Sequence, residues 1–236
     1  AQEMKNSGFA MKDITDIAVT HFHPDHIGLA GKIAEISGAK IALSAIENYL
    51  FDSRYTHPES LISELIVFYM ANGVPDWELK MLSEASFNIR SYVSPFKASM
   101  LLKDGDVISM APYEFKVMAT PGHSPGHICL YEPNKKYFFS GDHVLPEVVP
   151  NIGYHIQSGD NPLGAYVKSL TMLSELEVRF VFPGHGSVFS GLAPKIDDIM
   201  RVHRDRMTRI QRVMGVETRN AYDVAKSIPW IVNGEE

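Results

Sequence analysis

THFHPDHIG, residues Thr20–Gly28, crowds three histidines and an aspartate into six positions, with a proline among them and a glycine after them. It follows DIAVT (Asp16–Thr20), a short apolar, β-branched run that reads as a strand. Downstream, IGLAGKIAEISG (Ile27–Gly38) sets Ile27, Ala30, Ile33, Ala34 and Ser37 at helical spacing and stops on glycine. KIALS (Lys40–Ser44) then reads as the next strand. Strand, loop, helix, strand is the order of a layered α/β protein, and here the loop at the strand's end carries four good metal ligands.

The same arrangement recurs. Six of the ten histidines lie in three short motifs, the other two being TPGHSPGH (Thr120–His127) and FPGHG (Phe182–Gly186), and SGDH (Ser140–His143) adds an aspartate. Each follows a predicted strand: YEFKVMAT (Tyr113–Thr120), KKYFFSGD (Lys135–Asp142) and RFVFP (Arg179–Pro183). Strand ends can therefore deliver all of them to one edge, with glycines turning the backbone sharply and keeping bulk away. Further strands are expected at DVISM (Asp106–Met110) and HICLYE (His127–Glu132). Helices are expected over 162–176 and 192–214, and another begins in AYDVAKSIPW.

Imidazole and carboxylate without thiolate suit zinc, iron or manganese and disfavour a cysteine-rich structural zinc site. His21, His23, Asp25, His26, His123, Asp142 and His185 are seven candidate ligands, too many for one tetrahedral ion. Two ions bridged by a carboxylate and a hydroxide would use them all. His127 reads as a support for the loop carrying His123, and His143 as a weaker candidate for the site. His57, His155 and His203 read as surface or packing residues, with His155 the most interesting of them.

These motifs resemble those of the metallo-β-lactamase superfamily: His21-x-His23-x-Asp25-His26, His123 of PGHSPGH, Asp142 of SGD and His185 of PGHG. The resemblance spans about residues 16 to 190. It implies an α/β fold, an αββα sandwich with metals at one edge. It implies that His21, His23 and His123 hold a first ion, and that Asp25, His26 and His185 hold a second, with Asp142 bridging. Family members usually place several strands before the first motif, so the resemblance also leads us to expect an N-terminally truncated chain with an incomplete first sheet. The bridging aspartate points to glyoxalase II-like thioesterases, lactonases, nucleases and persulfide dioxygenases rather than to antibiotic hydrolysis. HVLPEVVPNIGYHIQSGDNP (His143–Pro162) does not match the glutathione-holding segment of glyoxalase II. HRDRMTRIQR (His203–Arg212) resembles the junction to a winged-helix domain in a subgroup that includes an endoribonuclease.

The expected function is a dinuclear, metal-dependent hydrolase holding two zinc ions, with iron or manganese fitting either position. A metal-bridging hydroxide would attack a thioester, ester or lactone, and Asp25 would orient it or accept its proton. A metal-dependent phosphodiesterase or endoribonuclease is the first alternative, and a mononuclear iron dioxygenase of the persulfide type the second. No GxSxG nucleophile motif competes with the metals, and the single cysteine, Cys129, sits within a predicted strand.

Residues 1–198 are expected to form the catalytic domain, interrupted by a helical insert over about 51–98. Residues 199–236 would form a C-terminal helical extension, a partial winged-helix-like appendage. In the insert, PESLISELIVFYMANG and PDWELKMLSEA open on Pro and an acidic residue, as helices do. The first is apolar on most of its circumference and is expected to be largely covered. Phe68, Tyr69, Met70, Met81, Phe87, Tyr92 and Phe96 are candidates for an apolar lid over the metals or for packing within the insert, and Tyr154 and His155 for polar contacts with substrate. The partner is a small molecule, expected to contain an acyl group.

At 236 residues, 45% hydrophobic and 21% charged, the composition is that of a globular protein. The longest apolar run, LIVFYMA, is too short for a membrane span. A net charge of −6 argues against wholesale nucleic-acid binding. The arginine-rich helix around 201–212 therefore reads first as a solvated face, and nucleic acid as a less favoured partner. A lone cysteine fits a reducing compartment, hence the cytoplasm. The composition is also compatible with self-association.

Overall fold

We describe the protein from a computed structural model, covering residues 2–110, 112–216 and 218–228, with the side chains of residues 2–3 and 82–88 left aside. Among these residues eight strands form two sheets. The smaller joins β1 (Asp16–Ala18), β2 (Lys40–Ser44) and β3 (Met100–Leu102), all parallel, in that order. The larger joins β4 (Val107–Met110), β5 (Tyr113–Ala119), β6 (Ile128–Glu132), β7 (Tyr137–Gly141) and β8 (Phe180–Pro183). Its neighbours are antiparallel except for β7 and β8, which run parallel. β5, β7 and β8 consequently point the same way, and the loops carrying His123, Asp142 and His185 all leave from one edge.

Alternation along the strands builds the layers. In β6, Ile128 and Leu130 meet Phe115 and Val117 of β5, Leu102 of β3 and Ala42 of β2 in a core between the sheets. Cys129, between them in sequence, faces the opposite side, against helices α7 (Pro162–Ser174) and α8 (Leu192–Met214) through Leu170, Leu173, Ile196 and Ile199. Ile41 and Leu43 of β2 face outward instead, against Ile27, Ala30, Leu50 and Phe51. The result is four layers, helix, sheet, sheet, helix, as the motifs imply.

Local chemistry sets the element ends. Helix α3 (Ala30–Ser37) stops where Gly38 takes a left-handed φ of 76°. Asn161 caps α7, its side chain accepting the Gly164 N–H at 2.8 Å, with Pro162 in the first turn. On α8, Leu192, Ile196, Ile199 and His203 form the buried face, while Arg201, Arg204, Arg209 and Arg212 face solvent. Strand β3 and helix α4 (Ala45–Phe51) are among the elements that went unseen in the sequence.

The insert is helical, with α5 (Glu59–Ala71) against α6 (Asp76–Ile89). It corrects one expectation. Among its described residues α5 buries only Leu61, and Val67 and Met70 are exposed, because the helix touches its neighbours along one side while its apolar residues run around the whole cylinder. The short helix α9 (Ala221–Ser227) rests on this hairpin: Tyr222 N–H donates to the Asn72 carbonyl at 3.1 Å, and its hydroxyl to Glu78 at 2.6 Å. No described helix is long and apolar enough to cross a membrane.

Candidate metal centre

The seven side chains singled out in the sequence meet at one edge of the sandwich. His21 and His23 leave the end of β1, and Asp25 and His26 lie in a single-turn helix, α2 (Pro24–Ile27), entered through Pro24. His123, Asp142 and His185 arrive from the ends of β5, β7 and β8. Their ligand atoms group into three overlapping sets: His21, His23 and His123; His21, His26 and Asp142; and Asp25, His26 and His185.

Asp142 stands between the outer two sets. Its Oδ1 lies 3.3 Å from His26 Nε2, and its Oδ2 lies 3.6 Å from both His123 Nε2 and His185 Nε2. His123 Nε2 is 3.0 Å from His23 Nδ1, and His26 Nε2 is 3.2 Å from His185 Nε2. His185 Nε2 is 3.1 Å from Asp25 Oδ2.

These residues fit metal ions. Ligand atoms about 2.0–2.1 Å from one ion at tetrahedral angles stand about 3.3–3.4 Å apart, and the separations above bracket that spacing. Among the described residues His21 Nε2 and Asp142 Oδ1 are buried without a hydrogen-bond partner, an expensive state for polar atoms unless an ion satisfies them. A β-carbon on Gly184 would lie 2.3 Å from Asp142 Oδ1 and 2.7 Å from His26 Cε1, so the glycine keeps the cradle open.

Neighbouring groups fix which nitrogen each imidazole presents. His123 Nδ1–H donates to the Asn151 carbonyl at 2.9 Å, turning the Nε2 lone pair into the site. His21 Nδ1 lies 3.1 Å from Thr20 Oγ1, leaving Nε2 inward. Burial lowers the pKa of His21 and His123 and takes His23 down to about 3, so near neutral pH these rings carry free lone pairs. At Asp142 burial alone would raise the pKa, but the His26 imidazole 3.3 Å away and the other facing imidazoles outweigh it and keep the carboxylate ionised.

His127 is placed beneath the site. Its Nε2 accepts the Asp142 N–H at 3.3 Å, so Nδ1 carries the proton and donates to Thr120 Oγ1 at 2.8 Å. It supports Asp142 and, through Thr120 and through its own N–H on the Ser124 carbonyl at 3.4 Å, also the loop carrying His123. His143 joins none of the three sets; its ring packs in the core against Tyr166, at 4.7 Å between centroids. His203 also packs against Tyr166, at 5.5 Å between centroids.

One residue that holds the site together escaped the sequence reading. Glu47 of α4 is fully buried, and its carboxylate accepts the Phe22 N–H and the Gly126 N–H at 2.6 Å each and the Ser124 hydroxyl at 2.7 Å. It thus ties the loop of His21 and His23 to the loop of His123. Burial raises its pKa to about 7 despite these donors. The signal available was Ser44-Ala-Ile-Glu47, the spacing of a capping box. Ser44 does cap α4, its Oγ accepting the Glu47 N–H at 3.1 Å, but the glutamate turns away to the two loops.

Neither a lid nor packing within the insert accounts for all the apolar residues singled out there. Met70, Met81 and Tyr92 are exposed, and Phe96 packs against Phe51 in the core beside the smaller sheet. Phe68 meets Tyr154, and the side chain of Phe87 lies outside the described residues. His155 accepts from Arg54, their nitrogens 3.3 Å apart, which ties the loop after β7 to the start of the insert.

A sheet edge lined by histidines and aspartates, with orphaned lone pairs turned inward, marks an α/β protein whose residues fit metal ions. The chain belongs to the metallo-beta-lactamase superfamily, whose family profile matches residues 1–185. It is 31% identical over 183 residues to the acyl-coenzyme A thioesterase MBLAC2 of Gallus gallus, covering 72% of this chain and 56% of that protein. An atrochrysone carboxyl ACP thioesterase of Aspergillus fumigatus is 29% identical over 150 residues, 62% of this chain and 33% of its own. Among solved structures, a metallo-beta-lactamase family protein from Thermus thermophilus shares the fold, with a TM-score of 0.85 at 24% identity over 96% of this chain and 72% of that one. The chain spans about half the length of the curated relatives it matches.

Proposed function

We propose that the chain is a glyoxalase II-like, dinuclear metal-dependent hydrolase of a thioester, ester or lactone. Zinc is the favoured ion, and iron or manganese fits either position. His21, His23 and His123 would hold one ion, Asp25, His26 and His185 the other, and Asp142 would bridge them. The observation that carries this reading is Asp142, whose two carboxylate oxygens face ligands of both sets. Two relatives named as thioesterases favour an acyl substrate.

Such ions supply Lewis-acid activation of water and of the substrate's carbonyl oxygen. The chain's own residues supply position and proton handling. Asp25 is half-exposed at the mouth, with Oδ2 against His185, and it would orient the attacking water and accept its proton. His123, fixed by Asn151, and His21, beside Thr20, hold their lone pairs in place without rearrangement. No thiol competes as nucleophile: Cys129 is buried in β6, and burial pushes its pKa up to about 12.

We further infer that residues 1–198 act as the catalytic unit, with the insert over 51–98, and that 199–236 extend it. Helix α8 crosses the boundary unbroken, so the extension would be anchored rather than hinged.

Purified protein loaded with zinc, tested on chromogenic thioester, lactone and bis(p-nitrophenyl) phosphate, decides the matter. Turnover of the thioester or lactone, lost on chelation, is the expected result. Activity on the phosphodiester alone would overturn it.

A further inference from the structure

A cavity of about 310 Å³ opens directly beside His23 and Pro24. One wall is the ligand loop itself, through Phe22 and His23. The other is the insert, through Tyr55, Leu61, Leu65 and Ile89. Into this mostly apolar lining the chain sets two arginines, Arg54 and Arg90. Arg54 lies over the Phe22 ring, 4.9 Å from its centroid, and is steadied by Gln157 at 3.0 Å and by His155. Arg90 donates to the Tyr55 carbonyl at 3.2 Å, and among the described residues its buried Nε has no partner. Neither guanidinium forms an ion pair among the described residues. Two cations in an apolar wall, held by neutral partners, are poorly compensated until an anion arrives.

We propose that this cavity is the acyl subsite, and that it takes a straight apolar chain of about eight to ten carbons whose carboxylate is received by Arg54 and Arg90. The proposal rests on the acyl-hydrolase reading above, since the carboxylate is what hydrolysis of a fatty thioester releases. Size sets the chain length: at about 30 Å³ per water the cavity has room for roughly ten water-sized groups, and a methylene is comparable. It lies at the small end of ligand sites, roughly 300–1,000 Å³. Charge sets the headgroup. The place beside His23 sets the direction, with the carbonyl carbon toward the centre and the chain running along Leu61 and Leu65.

The test uses calorimetry on the full metal-free chain with hexanoate, decanoate and decanol. Decanoate should bind saturably, with affinity rising by up to about fourfold per methylene from hexanoate. Decanol should bind at least about tenfold more weakly. Leu65→Trp, which fills the half-buried insert wall, should abolish binding. Arg54→Gln should bring decanoate down to the level of decanol, a result that does not depend on the packing change. Equal binding of hexanoate and decanoate, or of decanol and decanoate, would overturn the proposal.

Hydrolysis by the zinc-loaded protein separates the two readings. Turnover of an S-acetyl thioester with no gain for the S-decanoyl one would sink the subsite and leave the hydrolase standing. Decanoate binding by a protein that cleaves neither would support the cavity and sink the acyl hydrolase.

Discussion

The two halves of the candidate centre use the same kinds of ligand but are built differently. His21, His23 and His123 are buried or nearly so, two of them are turned by a second hydrogen bond, and their loops are clamped by Glu47. Asp25 and His185, in the other half, are 56% and 50% exposed. Asp25 sits in the single-turn helix α2, and His185 in a short loop where Gly186 takes a left-handed φ of 85°. Ligand identity alone therefore does not determine affinity: the first half is buried and preorganised, while the second is open to solvent at Asp25 and His185. The first half should hold its ion more tightly.

The strongest way to break this contrast is Asp142→Ala, because Asp142 serves both halves. Metal analysis of the purified variant should show both positions depleted. Loss of this carboxylate should exceed the roughly 10–100-fold in affinity that follows from removing an outer hydrogen bond. Depletion of the exposed half alone would show that the aspartate does not bridge.

Glu47→Gln comes next and probes the buried half. An amide keeps one acceptor but turns a donor toward the Phe22 or Gly126 N–H, leaving a buried donor unpaired. We expect a loss of about 1–3 kcal/mol in urea unfolding, and metal affinity of the tight position lower by about 10–100-fold. Unchanged affinity of the tight ion would remove Glu47 from the site's support.

His185→Ala should sharpen the comparison. Metal content should fall from about two ions to one per chain, with folding stability within about 0.5–1 kcal/mol of the parent, as for an exposed residue. Loss of both ions would mean that the halves are not separable.

The smallest effect concerns pH. Burial first, then the Arg54 charge, lowers the pKa of His155 from 6.5 to about 4. The unfolded chain thus takes up that proton first, and the stability His155 contributes is full above about pH 6.5 and is lost as pH falls to about 4. Partial solvent access limits this to about 1–2 kcal/mol. Glu47 acts in the opposite sense: its pKa, raised from 4.5 to about 7, costs stability that grows as pH climbs through that window. Urea midpoints between pH 4 and 7.5 for the parent, His155→Gln and Glu47→Gln should separate the two slopes. A parent profile left unchanged by His155→Gln would show the loop after β7 to be held by other contacts.

Much of this was written in local sequence. The ligands sit in runs of three to eight residues, and glycine, proline and β-branched strands announce themselves by short-range sterics, so β2 and α8 fall on their predicted bounds. The seven residues could be picked out because their chemistry is carried by residue type. What tertiary structure alone decided lies between segments distant in the chain. Strand β3 is three residues long and gains its place by pairing with β2 across the insert, a bond its own sequence does not specify. The exposure of α5 depends on what packs against it, and hydrophobic pattern records only that something could. Glu47 joins Phe22 to Gly126, 25 residues one way and 79 the other, and nothing in KIALSAIEN says where its carboxylate turns. Residue type sets which atoms can bind a metal; only the packed fold, through burial and second hydrogen bonds, sets how firmly each is held.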